Sequence, residues 1–122
     1  MRVIIAGGRD FSDSDLFDRE VSKRLWSKLD EGDVEIVSGC CTGADELGEE
    51  FAGYWDIPVK RFPAEWSKHG KSAGPRRNAD MAIYAAEDDG MLIAFWDGKS
   101  RGTKHMIDTA KRYGINVYTV RY

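Results

Sequence analysis

The stretch VIIAGGRDF, Val3 to Phe11, runs from four consecutive apolar residues straight into paired glycines, an arginine and an aspartate. The run lacks the apolar–polar alternation of a half-exposed strand and reads instead as a strand covered on both faces. Such a strand belongs in the middle of a parallel sheet, and the glycines after it mark the turn out of the sheet. Four more runs rich in β-branched and aromatic residues follow: VEIVS at Val34–Ser38, VKRF at Val59–Phe62, MLIAFW at Met91–Trp96 and NVYTV at Asn116–Val120. MLIAFW is as uniformly apolar as the first run, so the two are expected to be neighbours at the centre.

The segments between the runs carry helical spacing. DSDLFDREVSKRLWSKLD aligns Leu16, Val21, Leu25, Trp26 and Leu29, with Ser12 or Ser14 as N-cap. ADELGEEFAGYWD aligns Leu47, Phe51, Tyr54 and Trp55. RRNADMAIYAAEDD aligns Met81, Ile83, Tyr84 and Ala85, and TKHMIDTAKRYG aligns Met106, Ile107, Ala110 and Tyr113 before a terminating Gly114. Trp26, Trp55, Met81 and Met106 fall at core spacing and are expected to pack. Strands alternating with helices predict right-handed crossovers and an α/β Rossmann-like three-layer sandwich. The expected sheet has five mainly parallel strands in the order 3-2-1-4-5, in a single domain over residues 1–122, with Pro58, Pro63 and Pro75 at strand edges or in loops.

Composition sets the class. The 122 residues are 42% hydrophobic and 32% charged, as in an ordinary globular domain that needs neither disulfides nor a structural metal to hold one core. No apolar run approaches membrane-spanning length and the N-terminus shows no signal-peptide pattern, so a cytoplasmic protein without membrane attachment is expected. A net charge of -3 argues against coating nucleic acid by bulk electrostatics. The size and the apolar helix faces suit a homo-oligomer. His69 and His105 lie at no metal-ligand spacing, neither GxxxxGK[ST] nor GxGxxG is present, and no metal or cofactor is expected.

In an open parallel sheet, ligands bind beyond the carboxyl ends of the strands, so the residues that follow each run carry the functional signal. After the first come Gly7, Gly8, Arg9 and Asp10, and after the second Ser38, Gly39, Cys40, Cys41, Thr42, Gly43 and Asp45. A long loop, PAEWSKHGKSAGPRRN, follows the third and brings Lys68, Lys71, Arg76, Arg77 and Asn78. Trp96, Asp97, Gly98, Lys99, Ser100, Arg101, Gly102 and Thr103 follow the fourth. Glycine lets backbone N–H groups approach a ligand, helix starts add unpaired donors, and the cations make this edge locally positive. The partner these features suit is a phosphorylated small molecule. Asp45 or Asp97 could accept from ribose hydroxyls, and of Trp66 and Trp96, the latter at a strand end, is the better surface against a base. Cys40 and Cys41, near a helix N-terminus where a thiol pKa is lowered, read first as small residues of a turn.

The segments VIIAGGRDF, SGCCTGADELGEEFA, PAEWSKHGKSAGPRRNADMA and AFWDGKSRGTKHMI together resemble the SLOG superfamily, most closely its short stand-alone branch related to YspA and YpsA. The resemblance implies a Rossmann-like domain binding nucleotides or nucleotide-derived ligands, with members proposed to sense or process such molecules, NAD-related signals included, in bacterial and phage conflict systems. SGCCTGAD is closer to the SGxAxGxD segment of the DNA-processing protein A branch than to the PGGxGTxxE motif of the cytokinin-activating phosphoribohydrolases. Three readings follow. The first is a nucleotide sensor or sequestering protein. The second is an N-glycosidase or phosphoribohydrolase in which Asp45 or Glu46 stabilises an oxocarbenium-like transition state while Arg76 or Arg77 holds phosphate. The third is single-stranded DNA binding along the Trp66-containing loop.

Overall fold

The computed structural model describes residues 1–122. Five strands, β1 (Arg2–Gly7), β2 (Glu35–Ser38), β3 (Val59–Arg61), β4 (Gly90–Trp96) and β5 (Asn116–Arg121), form one wholly parallel sheet in the order β3-β2-β1-β4-β5. Helices α1 (Ser14–Glu31) and α2 (Ala44–Tyr54) cover one face, while α4 (Ala73–Ala86) and α5 (Arg101–Arg112) cover the other. The chain is therefore an α/β Rossmann-like sandwich with the anticipated strand order. No helix is long and apolar enough to cross a membrane.

The alternation of side chains along β1 explains the two cores. Val3 and Ile5 pack with Phe17, Val21 and Leu25 of α1 and Phe51 of α2, whereas Ile4 and Ala6 pack with Met81 and Ala85 of α4 and Met106 and Ala110 of α5. β4 divides likewise, Ile93 and Phe95 to one side and Leu92 and Ala94 to the other. Both strands are buried on both faces, which is why their runs show no polar alternation.

Three local expectations are corrected. Asp13, not Ser12 or Ser14, caps α1, its carboxylate accepting from the Leu16 amide at 3.1 Å. The buried stripe of α1 is Phe17–Val21–Leu25, which leaves Trp26, one residue or about 100° round the helix, in solvent. Tyr54 and Trp55 on α2 are exposed too, because no further layer covers the outer faces of these helices. The long loop after β3 is also largely helical: α3 (Trp66–His69), a 3-10 turn (Gly70–Ser72), then α4 from Ala73. Pro75 thus lies in the first turn of α4, where a missing N–H is tolerated.

Candidate functional site

β1 leads to α1 on one face and β4 to α5 on the other, so the loops leaving these paired strands diverge at the topological switch point. A cleft of ≈ 450 Å³ opens there, within the range of small-molecule sites. Its floor is Ala6, Met81 and Met106. Gly7 and Arg9 line it from the β1 loop, Cys41 and Asp45 from the start of α2, Gly74, Pro75, Arg77 and Asn78 from α4, and Ser100, Arg101, Gly102, Thr103 and His105 from α5. Trp66 completes the lining from α3.

The glycine-rich loops after β1 and β2 are locked against each other. The Gly8 amide donates to Phe95 O at 3.1 Å, the Ala44 amide to Gly8 O at 3.3 Å, and the Thr42 hydroxyl to Arg9 O at 3.2 Å. A Cβ on Gly43, whose φ is +77°, would lie 2.2 Å from Gly8 O, and one on Gly7 would lie 2.5 Å from Phe95 O. The Cys40 amide donates to the Ser38 hydroxyl and the Cys41 amide to Asp45 Oδ2, each at 3.1 Å. These glycines serve first to let two loops touch, and several amides of the SGCCTGAD turn are satisfied inside the protein.

Unpaired donors remain at α5. Asp97 Oδ1 accepts from the Lys99 and Ser100 amides, both at 2.8 Å, and the Ser100 hydroxyl accepts from the Thr103 amide at 3.4 Å. Those bonds shape the turn and leave the amides of Arg101 and Gly102 uncapped at the positive end of a twelve-residue helix, on the cleft wall. Asp97 is held below the usual carboxylate range by these backbone N–H groups, the Ser100 amide foremost.

Opposite, a chain of side chains fixes one arginine. Arg77 donates from Nη1 to Gly39 O and from Nε to Asn78 Oδ1 at 3.0 Å, and both its Nη atoms lie 3.8 Å from Cys41 Sγ. With Asn78 Oδ1 engaged, the amide nitrogen faces His105 Nδ1 at 3.1 Å, and the Thr109 hydroxyl lies 3.4 Å from the same ring nitrogen. Asn78, which links Arg77 to His105, is buried. Asp45, only 6% exposed, is the one carboxylate in the lining. Burial pushes its pKa up to about 6, against the opposing pull of the Cys41 amide and the Arg77 charge.

Of the residues singled out in the sequence, Gly7, Arg9, Cys41, Asp45, Trp66, Arg77, Asn78, Ser100, Arg101, Gly102 and Thr103 converge on the cleft. The others stand apart. Gly8, Gly39 and Gly43 pack behind it; Ser38 is buried and donates to Glu49 at 2.7 Å; Asp10 accepts from the Tyr122 hydroxyl at 3.1 Å. Thr42 and Glu46 line a separate shallow groove on the far side of α2. Arg76 points to Ser72, so the neighbouring Arg77, about 100° away on the helix, is the one inside. Trp96 is tied back through its indole N–H to Ser100 O at 3.0 Å with the Arg121 guanidinium over its ring, and Gly98 and Lys99 belong to that turn. Trp66 takes the place envisaged for Trp96: half exposed, with the bare backbone of Gly74 against its ring. His105 carried no signal in the sequence because its role depends on Asn78, 27 positions away. The thiol of Cys40 is corrected as well, since burial first and then Glu49 push it up rather than down.

Residues 1–69 match the family described as the YspA, cpYpsA-related SLOG family. The chain is also 32% identical over 127 aligned residues to the Gene 61 protein of Mycobacterium phage D29, an alignment covering 95% of this chain and 93% of that one.

Proposed function

The chain belongs to the YspA, cpYpsA-related SLOG family, and from that premise we propose that the cleft between β1 and β4 binds a nucleotide or nucleotide-derived molecule, as a sensor or sequestering protein. One observation carries the reading: the start of α5 with its uncapped amides, three arginines, Arg9, Arg77 and Arg101, and Trp66 line one cavity at the switch point. Phosphate suits the α5 end and the arginines, a planar base suits the Trp66 face, and Asp45 suits a hydroxyl donor. Phosphate recognition of this kind does not identify the base, so the ligand class is phosphorylated and nucleotide-like. The test is calorimetry against ADP-ribose, NAD, and cyclic and linear nucleotides. Micromolar binding of at least one, weakened by Arg77→Ala and by Trp66→Ala, is expected; no binding across the panel overturns the proposal.

The placement of Asp45 favours a second reading. A buried carboxylate lining the cleft, its pKa about 6 and so ionised at neutral pH, would be suited to stabilise developing positive charge were a sugar bound beside it, as N-glycosidic cleavage requires. Incubation with nucleoside monophosphates and NAD, followed by chromatography for free base, separates the two. Release abolished by Asp45→Asn makes the protein a hydrolase; tight binding with no free base keeps it a binder.

A further inference from the structure

Three large aromatic side chains outside both cores lie along the seam of α1 and α2: Trp26 is 61% exposed, Tyr54 81% and Trp55 45%. Side chains of this size gathered on one surface mark a place where something docks. Two grooves meet at Trp55. One of ≈ 420 Å³ runs between the helices over Phe51, with Asp18 and Glu50 in its lining. The other, ≈ 140 Å³, continues beside Trp26, with Asp30 and Asp56 in its lining.

The charged residues lining these two grooves are of one sign. Asp18, Glu50, Asp30 and Asp56 are their charged lining residues, with no lysine or arginine among them, and none of the four takes part in an ion pair. Asp30 lies in the last turn of α1, where Lys28 pairs with Glu31 and leaves Asp30 unpaired, and Asp56 follows the C-cap of α2, so both carboxylates sit at the negative ends of helix dipoles. That placement is unfavourable for each helix alone and becomes favourable when a cation arrives. The aromatic faces suit the same visitor through cation–π contact.

We propose that the α1–α2 seam is a docking groove for a cationic amphipathic helix of a partner protein. Its apolar side would lie against Trp26, Tyr54 and Trp55 while lysines or arginines meet the four carboxylates. The seam follows the eighteen-residue α1, about 27 Å, so the matching helix has about five turns. A second copy of this chain is the poorer occupant, because two-fold pairing through this face would set the carboxylates of one copy against those of the other.

The probe is a synthetic helix of that length with leucine at i, i+3, i+4 and i+7 and arginine on its flanks. Two controls accompany it, one with glutamate in place of arginine and one a scramble of equal charge. Calorimetry on the full chain should show the amphipathic arginine peptide binding at least about tenfold more tightly than either control. Tyr54→Ser and Glu50→Gln both alter exposed side chains and should each weaken it severalfold while the thermal melt stays in place. Trp55→Ser should weaken it most. No binding of the arginine peptide, equal binding of the scramble, or indifference to Tyr54→Ser and Glu50→Gln overturns the proposal. So does sedimentation showing an oligomer that Tyr54→Ser dissociates, since a second copy then covers the seam.

Discussion

Asp45→Asn tests whether the cleft carries an unfavourable buried charge. The folded-state pKa of Asp45 is about 6 against an ordinary 3.8, so the folded protein holds the proton more tightly than the unfolded chain does. The stability this group contributes is therefore complete below about pH 4, falls as pH rises towards 6, and is absent above it. At about 1.4 kcal/mol per pKa unit, the loss at neutral pH is on the order of 3 kcal/mol. Asparagine resembles the protonated acid and can still accept from the Cys41 amide, so the variant should be more stable than the parent at pH 7.5 by about 1–3 kcal/mol, worth roughly 5–15 °C in Tm. The difference should close as the pH is brought to 4. Urea denaturation followed by circular dichroism at pH 4, 5.5 and 7.5 measures it, other titrating groups cancelling between parent and variant. A variant less stable at pH 7.5, or a difference that does not change with pH, refutes the reasoning. If nucleotide binding falls in the stabilised variant, the carboxylate is kept for the ligand at the expense of the fold.

Gly43→Ala should destabilise by at least about 3 kcal/mol in urea denaturation, since φ is +77° and the new Cβ would lie 2.2 Å from Gly8 O. Arg77→Lys should weaken binding of the best nucleotide by about tenfold, because an ammonium cannot hold Gly39 O and Asn78 Oδ1 together, whereas Arg76→Lys should leave calorimetric affinity unchanged. The double change Cys40→Ser, Cys41→Ser should retain nucleotide binding and stability within about 1 kcal/mol, as the thiols make only long contacts of 3.8–3.9 Å; lost binding would restore a thiol role. Asp13→Ala should cost about 1 kcal/mol in the same unfolding assay through loss of the α1 cap.

Much of the architecture was legible because its signals are local. Val3–Ala6 and Met91–Trp96 lack polar alternation since both faces of β1 and β4 are covered, and the helical segments between the runs show their period directly. The helical start of α4 was hidden by glycine, proline and charge, residues that usually mark a loop but that here form a helix leaning on Trp66. Trp26 and Trp55 misled for a related reason: helical spacing reports which side chains share a stripe, not whether another layer exists to cover it.

By itself the amino-acid sequence determined the layered parallel fold, its strand order and the sheet edge at which glycines and cations gather, because periodicity and the residues after each strand are properties of short segments. Only the tertiary structure decided which side chains at that edge face one another. It chose Arg77 over Arg76 and Trp66 over Trp96, brought His105 to Asn78, and engaged the amides of Gly8 and Cys41 within the protein while leaving those of Arg101 and Gly102 open. Some of those choices are contacts between distant segments, Arg77 with Gly39, Asn78 with His105 and Gly8 with Phe95. Others, the ties of Arg76 to Ser72 and of Trp96 to Ser100, span only four residues, but which way each side chain turns is set by how the helices pack on the sheet.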